Sequence, residues 1–114
     1  MTRDCIFCRI IKGEAPANFV YKDEDMVVFH DTRPKAPVHV LIVPVEHIES
    51  LNVLEERHST LIAKIMHKMK EIAKILGIAE SGYKVIVNVG RGGGQIIFHL
   101  HMHLMGGWGK PTKL

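Results

Sequence analysis

The stretch His99-Leu100-His101-Met102-His103-Leu104-Met105 carries the strongest structural pattern in this chain of 114 residues. Three histidines alternate with apolar residues, and side chains at i, i+2 and i+4 of a β-strand share one face. The pattern predicts that this stretch belongs to a strand over 95–105, with its histidines on one face and its apolar residues toward the core. A rise of roughly 3.3 Å per residue would place successive imidazoles about 7 Å apart, so that two of them could bracket a phosphate.

Histidines in register need a chemical reason, because burying an imidazole carries a desolvation cost that an aliphatic residue avoids. Imidazole is a good zinc ligand and a competent nucleophile near neutral pH, so both uses are candidates here. The turn Gly90-Arg91-Gly92-Gly93-Gly94 precedes the strand, and its glycines let backbone N–H groups converge on an anion. Asn88 is expected to reach the same pocket as a neutral donor.

The rest of the chain alternates short β-type runs with helical ones. Apolar spacing predicts strands over 19–22, 26–30, 38–43 and 83–89, and helices over 5–12 and about 53–76. Asn52 and Glu55 suit the start of the long helix, and Gly77 suits its end. Together these elements predict an α+β fold: an antiparallel meander of about five strands, with one long helix and a short N-terminal helix.

Length and composition narrow the class of protein. The chain fits a single domain, residues 1–114, and its 46% hydrophobic content can build one core. The net charge of +3 is spread along the sequence without a basic stripe interleaved with aromatics, so a nucleic-acid partner is not expected. No apolar run has the length of a membrane span and no signal peptide opens the chain, so we expect a cytoplasmic protein with no membrane partner.

The two cysteines, Cys5 and Cys8, form one Cys-x-x-Cys pair on the predicted N-terminal helix, where i and i+3 share a face. Three interpretations are open: a redox motif, half of a zinc site, or two buried thiols. The pair has no βαβ pattern around it, which disfavours a thioredoxin-like motif. A tetrahedral zinc site would need two further ligands, and spacing alone does not choose between His39 and His47.

Several separated segments resemble the histidine triad (HIT) family of nucleotide hydrolases and transferases, in the family's order and over nearly the whole chain. They are Cys5-Ile6-Phe7-Cys8-Arg9-Ile10-Ile11, Phe29-His30-Asp31, Ala36-Pro37-Val38-His39 and the histidine stretch with Gly106-Gly107 after it. Gly106-Gly107 and the Phe-His-Asp element resemble the Hint branch, which hydrolyses nucleoside phosphoramidates. The resemblance implies a HIT-like fold whose sheets join in a homodimer. It also implies that the ligand is a purine nucleoside monophosphate, or its phosphoramidate or ester.

The resemblance further implies a role for each site residue. His101 would attack the α-phosphorus and form a covalent nucleotidyl-histidine, His103 would bind the phosphate and assist the leaving group, and His39 would relay protons. Asn88 and the backbone N–H groups after Gly94 would hold the non-bridging oxygens. The implied nucleotide-binding residues, with a carboxylate for the ribose and apolar side chains for the purine, are Ile6, Phe7, Ile10, Phe29, His30, Asp31, Asn88, Gly94, Gln95, Ile96, Ile97, His101 and His103.

By the same resemblance, a structural zinc ion is expected. Its implied ligands are Cys5, Cys8, His47 and His99. Ile96 departs from the family pattern, because many Hint relatives carry a hydroxyl residue there that assists the leaving group. Two alternatives to phosphoramidate hydrolysis therefore stay open. One is a nucleotide-binding, zinc-bearing interaction module with weak or no catalysis, and the other is a dinucleoside polyphosphate hydrolase.

Overall fold

A computed structural model describes residues 5–112, which form a five-stranded antiparallel sheet with one long and one short helix, as predicted. The strands are β1 (Phe19–Lys22), β2 (Met26–His30), β3 (Val38–Pro44), β4 (Tyr83–Ile86) and β5 (Met102–Gly106). The helices are α1 (Ile6–Ile11) and α2 (Ser59–Ile75). Short 3₁₀ turns lie at 51–53, 56–58 and 91–93. No helix within this described part combines the length and the apolar character of a membrane span.

The predicted meander is correct for β1 to β3 and wrong beyond them. The order in the sheet is β1-β2-β3-β5-β4, so β5 lies between β3 and β4. Burial explains the order, because β5 is almost entirely buried whereas the last two residues of β4 are exposed. In this register Met105 pairs with His39, and His103 pairs with Leu41. The central pair of strands thus brings two histidines from distant parts of the chain onto one face.

The two faces of the sheet are buried by different helices. On one face, Ile65, Met69 and Ile72 of α2 pack against Val40 and other strand residues. On the opposite face, Phe7 and Ile10 of α1 pack against a smaller group of strand residues. These are Val27, Phe29, Leu41 and Val43. The face under α1 is the one that carries the paired histidines, since His39 is two residues from Leu41 on the same strand.

Helix α2 begins six residues later than predicted. The backbone at Leu54 is extended, with ψ 143°, which interrupts any helix that starts near residue 53. The start lies instead after a capping arrangement in which Nδ1 of His58 accepts the N–H of Glu55 over 2.9 Å. The predicted C-terminal stop is correct, since Gly77 follows the helix with a φ of +75°.

The strand predicted over 95–105 is much shorter, because only β5 (Met102–Gly106) is paired. His99 and His101 precede it in irregular backbone, where the N–H of Leu100 bonds to the carbonyl of Ile48 over 2.6 Å and not to a neighbouring strand. The predicted 7 Å imidazole spacing is also wrong. The ring centroids of His101 and His103 lie 5.2 Å apart, at an interplanar angle of 65°. The run over 83–89 likewise pairs only as far as Ile86.

Candidate active site

A cavity of about 820 Å³ lies between α1 and the strands beneath it. The predicted nucleotide-binding residues that line it are Ile6, Phe7, Ile10, Phe29, His30, Asp31, Asn88, Gly94, Ile96, Ile97, His101 and His103. Gln95 does not line it, and its side chain is buried. The lining residues that sequence reasoning missed are Ala15, Pro16, Ala17, Thr32, Arg33, Lys35 and Leu41. Most of these lie in two proline-containing loops whose composition predicts turns and nothing more.

His101 has one tautomer that suits its surroundings. Its Nδ1 lies 2.7 Å from the carbonyl oxygen of His99, and because a carbonyl can only accept, Nδ1 carries the proton. The lone pair is therefore on Nε2. The ring is buried and meets Phe7 edge-on at 5.1 Å, and burial lowers the pKa of His101. A neutral imidazole with an available Nε2 is the form that attacks phosphorus.

His39 and His103 form a directional hydrogen-bonded pair. The backbone N–H of Lys35 donates to Nδ1 of His39 over 3.0 Å, so the proton of the neutral His39 ring is on Nε2. This Nε2 lies 2.9 Å from Nδ1 of His103 and 3.4 Å from a carboxylate oxygen of Asp31. Donation to His103 leaves the proton of neutral His103 on its own Nε2. Lys35 escapes prediction from sequence because its backbone makes the contact.

Burial keeps these imidazoles neutral at pH 7. The pKa of His103 is lowered to about 4, mainly by desolvation; His101, His39 and Lys35 act in the same direction, whereas Asp31 opposes the shift. Burial is also the main reason that the pKa of His39 is lowered, again against the influence of Asp31. Neutral rings agree with the tautomers that the hydrogen bonds require.

The glycine-rich turn predicted to hold an anion lies at the cavity wall. Gly90 and Gly94 have φ angles of +72° and +89°, in the left-handed region that glycine adopts at little cost. Asn88 lines the cavity and also braces the turn, since its Nδ2 donates to the Gly93 carbonyl over 2.8 Å. A Cβ added to Gly94 would meet Nδ2 of Asn88 at 3.4 Å, an ordinary contact distance, so the left-handed φ of Gly94 rather than a lack of space favours glycine there.

The four predicted zinc ligands converge in a second cluster. Sγ of Cys5, Sγ of Cys8 and Nδ1 of His47 lie 3.3, 3.5 and 3.1 Å from Nδ1 of His99. Sγ of Cys8 is also 3.2 Å from Nδ1 of His47. With metal–ligand bonds of about 2.0–2.3 Å, tetrahedral zinc needs ligand atoms about 3.3–3.8 Å apart, which is close to these separations.

The hydrogen bonding of His99 also fits a metal ion. Its Nε2 donates to the carbonyl of Pro44 over 2.8 Å, so Nδ1 of the neutral ring carries a lone pair. Burial lowers the pKa of His99 to about 4, which keeps the ring neutral. A lone pair that faces another imidazole nitrogen and two sulfur atoms is best satisfied by a cation. A carbonyl on the other ring nitrogen is the usual partner of a zinc-bound imidazole.

Asp31, His39 and His103 also lie close enough together to hold a metal ion, but their chemistry differs. Ligation by Nε2 of His39 would need a lone pair there. The N–H of Lys35 occupies Nδ1 of the same ring and so places the proton on Nε2. This group is therefore suited to sharing protons rather than to binding a metal.

Comparisons with known proteins point to one family. Residues 4–111 match the family model described as "Scavenger mRNA decapping enzyme C-term binding". The chain is 40% identical over 107 residues to the purine nucleoside phosphoramidase of Escherichia coli K12, a match covering 94% of this chain and 90% of that protein. The HIT family hydrolase from Clostridium thermocellum superposes with a TM-score of 0.95 at 42% identity, covering 100% of this chain and 99% of that one. A Zn-bound histidine triad family protein from Mycobacterium smegmatis superposes with a TM-score of 0.79 at 28% identity, covering 93% and 76% respectively.

Proposed function

Because this chain belongs to the histidine triad (HIT) family, we propose that it cleaves purine nucleoside 5′-phosphoramidates, or related nucleotidyl esters, through a covalent nucleotidyl-histidine. The observation that carries the proposal is the tautomer of His101. A carbonyl group holds its Nδ1–H, and the lone pair on Nε2 belongs to a ring that lines the cavity. We also propose that residues 1–114 form one such domain.

The proposed reaction has two steps. Nε2 of His101 attacks the α-phosphorus, forms a P–N bond and displaces the leaving group. The negative charge of the bound phosphoryl group favours the protonated form of His103, which gives its Nε2 proton to the leaving nitrogen or oxygen. Water then attacks phosphorus, releases His101 and returns a proton to His103. The products are a nucleoside monophosphate and an amine or alcohol.

The substrate would use both kinds of cavity wall. The purine would lie against apolar side chains such as Ile6 and Phe29, which offer a dry surface to a flat base. The carboxylate of Asp31 would accept hydrogen bonds from the ribose hydroxyls. Asn88 and the backbone N–H groups after Gly94 would hold the non-bridging oxygens and stabilise the charge that develops in the transition state.

We also propose a structural zinc ion at Cys5, Cys8, His47 and His99. When bound, zinc would supply a structural cross-link among these four side chains and no chemistry of its own. Cys8 lies in α1 and Cys5 is the N-cap residue of this helix, which forms part of the cavity wall. His99 holds the nucleophile through its carbonyl. The cross-link would therefore join the wall of the nucleoside pocket to the residue that orients His101.

The assembly we propose is a homodimer joined through β4. This strand is at the edge of the sheet, and Val85 and Ile86 on it are 40% and 36% exposed. An edge with unpaired backbone groups and apolar side chains is a template for pairing with another chain. Pairing with β4 of a second copy would join the two sheets into one.

Ile96 favours a second candidate, a nucleotide-binding module with weak catalysis. Its side chain lines the cavity and is 86% exposed, and it has no hydroxyl group to assist a leaving group. In this case the protein would bind adenosine 5′-monophosphate (AMP) tightly, but His101 would form no adduct.

Incubation with adenosine 5′-phosphoramidate separates the candidates. We expect release of AMP, a mass increase of one adenylyl group on His101 after rapid quenching, and loss of both in His101→Ala. Bound zinc is measured on the same samples. Equal turnover by wild type and His101→Ala would refute the mechanism, and AMP binding with neither adduct nor turnover would favour the binding module. A competing dinucleoside polyphosphate reports whether that substrate class is preferred.

A further inference from the structure

Gln95 is a buried residue whose side-chain amide lies behind the wall of the cavity. Its neighbours Gly94 and Ile96 both line the cavity, whereas the Gln95 side chain does not and the residue is only 2% exposed. A buried amide costs free energy unless its donors and acceptor are hydrogen-bonded. A polar residue at this position therefore needs specific partners, and those partners indicate its role.

The amide of Gln95 bonds to three backbone groups. Its Oε1 accepts the N–H of Gly90 over 2.9 Å, and its Nε2 donates to the carbonyls of Glu49 and Ile97 over 2.8 and 3.0 Å. The backbone N–H of Gln95 donates to the carbonyl of Gly90 over 3.0 Å. Both polar backbone groups of Gly90 are thus held by one residue, which closes the glycine-rich turn.

We infer that Gln95 is a positioning residue, which holds the backbone of residues 90–97 in the conformation that binds the phosphoryl group. The inference rests on the proposed function. The turn contains four glycines, so without such a clamp it has many accessible conformations. Within residues 5–112, the N–H groups of Ile96 and Ile97 have no protein acceptor, so they are available to an anion. Such donors stabilise a transition state most when they are already in place.

The bond to the Glu49 carbonyl gives the turn a fixed reference. The preceding carbonyl, that of Ile48, accepts the N–H of Leu100 over 2.6 Å, and Leu100 directly precedes His101. The two adjacent carbonyls of Ile48 and Glu49 thus bond to the residue before the nucleophile and to the side chain that closes the glycine-rich turn. Gln95 therefore determines where the N–H donors lie relative to the attacking nitrogen.

The substitution Gln95→Met tests this role, because methionine has a similar length and no amide. Calorimetric titration with AMP and with adenosine separates phosphate binding from nucleoside binding. We expect the dissociation constant of AMP to rise about tenfold, the effect of losing a hydrogen bond to a charged group, while that of adenosine changes little. Gln95→Glu, whose protonated carboxyl keeps the acceptor and one donor, should give a smaller rise. If the methionine variant does not fold, the glutamate variant provides the test, through the ratio of its dissociation constants for AMP and adenosine.

Asp23→Ala is the matched control. Asp23 clamps the turn between β1 and β2 with three hydrogen bonds, from the Tyr21 hydroxyl and the N–H groups of Asp25 and Met26, and it does not line the cavity. It should lower the unfolding midpoint and leave the AMP-to-adenosine ratio unchanged. A Gln95→Met protein with the wild-type ratio would overturn the inference. A wild-type protein that does not distinguish AMP from adenosine would instead overturn the proposed function.

Discussion

Nε2 of His39 lies 2.9 Å from Nδ1 of His103, and this contact determines which nitrogen of His103 carries the proton. The arrangement depends on the backbone N–H of Lys35, which lies 3.0 Å from the other ring nitrogen of His39. A loop amide thus sets the tautomer of an imidazole two hydrogen bonds away. His39 is buried and does not line the cavity, so we expect it to act through His103 as a positioning residue.

The first prediction follows from this contact. His39→Phe removes the N–H donor, so neutral His103 can place its proton on either nitrogen. We expect kcat for adenosine 5′-phosphoramidate to fall roughly 10- to 100-fold, with little change in AMP affinity. This loss is no larger than the smallest rate enhancement that general acid–base catalysis typically supplies. His39→Gln, whose amide can still donate, should recover part of the loss. Steady-state kinetics with AMP titration measure both quantities, and an unchanged kcat in His39→Phe would contradict the prediction.

The second prediction concerns pH and stability. Burial lowers the pKa of His103 from 6.5 to about 4, and lowers that of His39. Between pH 6.5 and about 4, His103 and His39 bind more protons in the unfolded chain than in the folded one. The free energy of unfolding should therefore fall as the pH drops through this range. The slope is at most about 1.4 kcal/mol per pH unit for each group. Urea unfolding across this range measures it, and His103→Gln should give a flatter curve. An identical slope in that variant would exclude His103 as a source.

Local signals were sufficient for most of the fold. The bounds of β1 and β2 match the predicted ones, and α1 and β3 lie within one residue of theirs, because apolar periodicity and turn residues act over a few positions. The order of the sheet depends on tertiary partners. The start of α2 follows a local contact instead: the side chain of His58 accepts the backbone N–H of Glu55 three residues earlier, which no propensity for histidine predicts.

The candidate site divides in the same way. Alternation of histidines predicted a shared pocket, and His101 and His103 do line one cavity. Which nitrogen of each ring carries a proton follows from contacts with distant backbone atoms, such as the N–H of Lys35, and has no local signature. The burial of the Gln95 side chain has no local signature either, because its partner Glu49 is 46 residues away in sequence.

The third prediction concerns the metal. Cys8→Ser removes one of four ligands, so the protein should lose tightly bound zinc, measured by elemental analysis. Chelation of the wild-type protein should lower its stability by about 3–4 kcal/mol, the linkage expected when free zinc exceeds its Kd by 100- to 1,000-fold. The same chelator should have little further effect on Cys8→Ser. Wild-type protein with no zinc, or a melting temperature insensitive to chelation, would contradict this site.

The fourth prediction concerns assembly. Ile86→Lys places a charge on the exposed end of β4, where it would be buried if this edge pairs with a second copy. Sedimentation velocity should show a dimer for the wild type and a monomer for the variant. Ile75→Lys is the matched control, because Ile75 is 65% exposed at the end of α2 and off the sheet edge. A variant at Ile86 that stays dimeric would exclude β4 as the interface.

The fifth prediction concerns Ile96. Ile96→Ser adds a hydroxyl group at the cavity wall, where the native side chain is 86% exposed and cannot donate a proton. We expect faster turnover of phosphoramidates whose amine needs a proton to leave, by about tenfold, a small share of what acid catalysis supplies. Nitrophenyl esters should show no gain, because nitrophenolate departs without a proton. Ile96→Ala makes the same space without the hydroxyl. A gain in both variants would assign the effect to space, and no gain in Ile96→Ser would show that leaving-group protonation does not limit the rate.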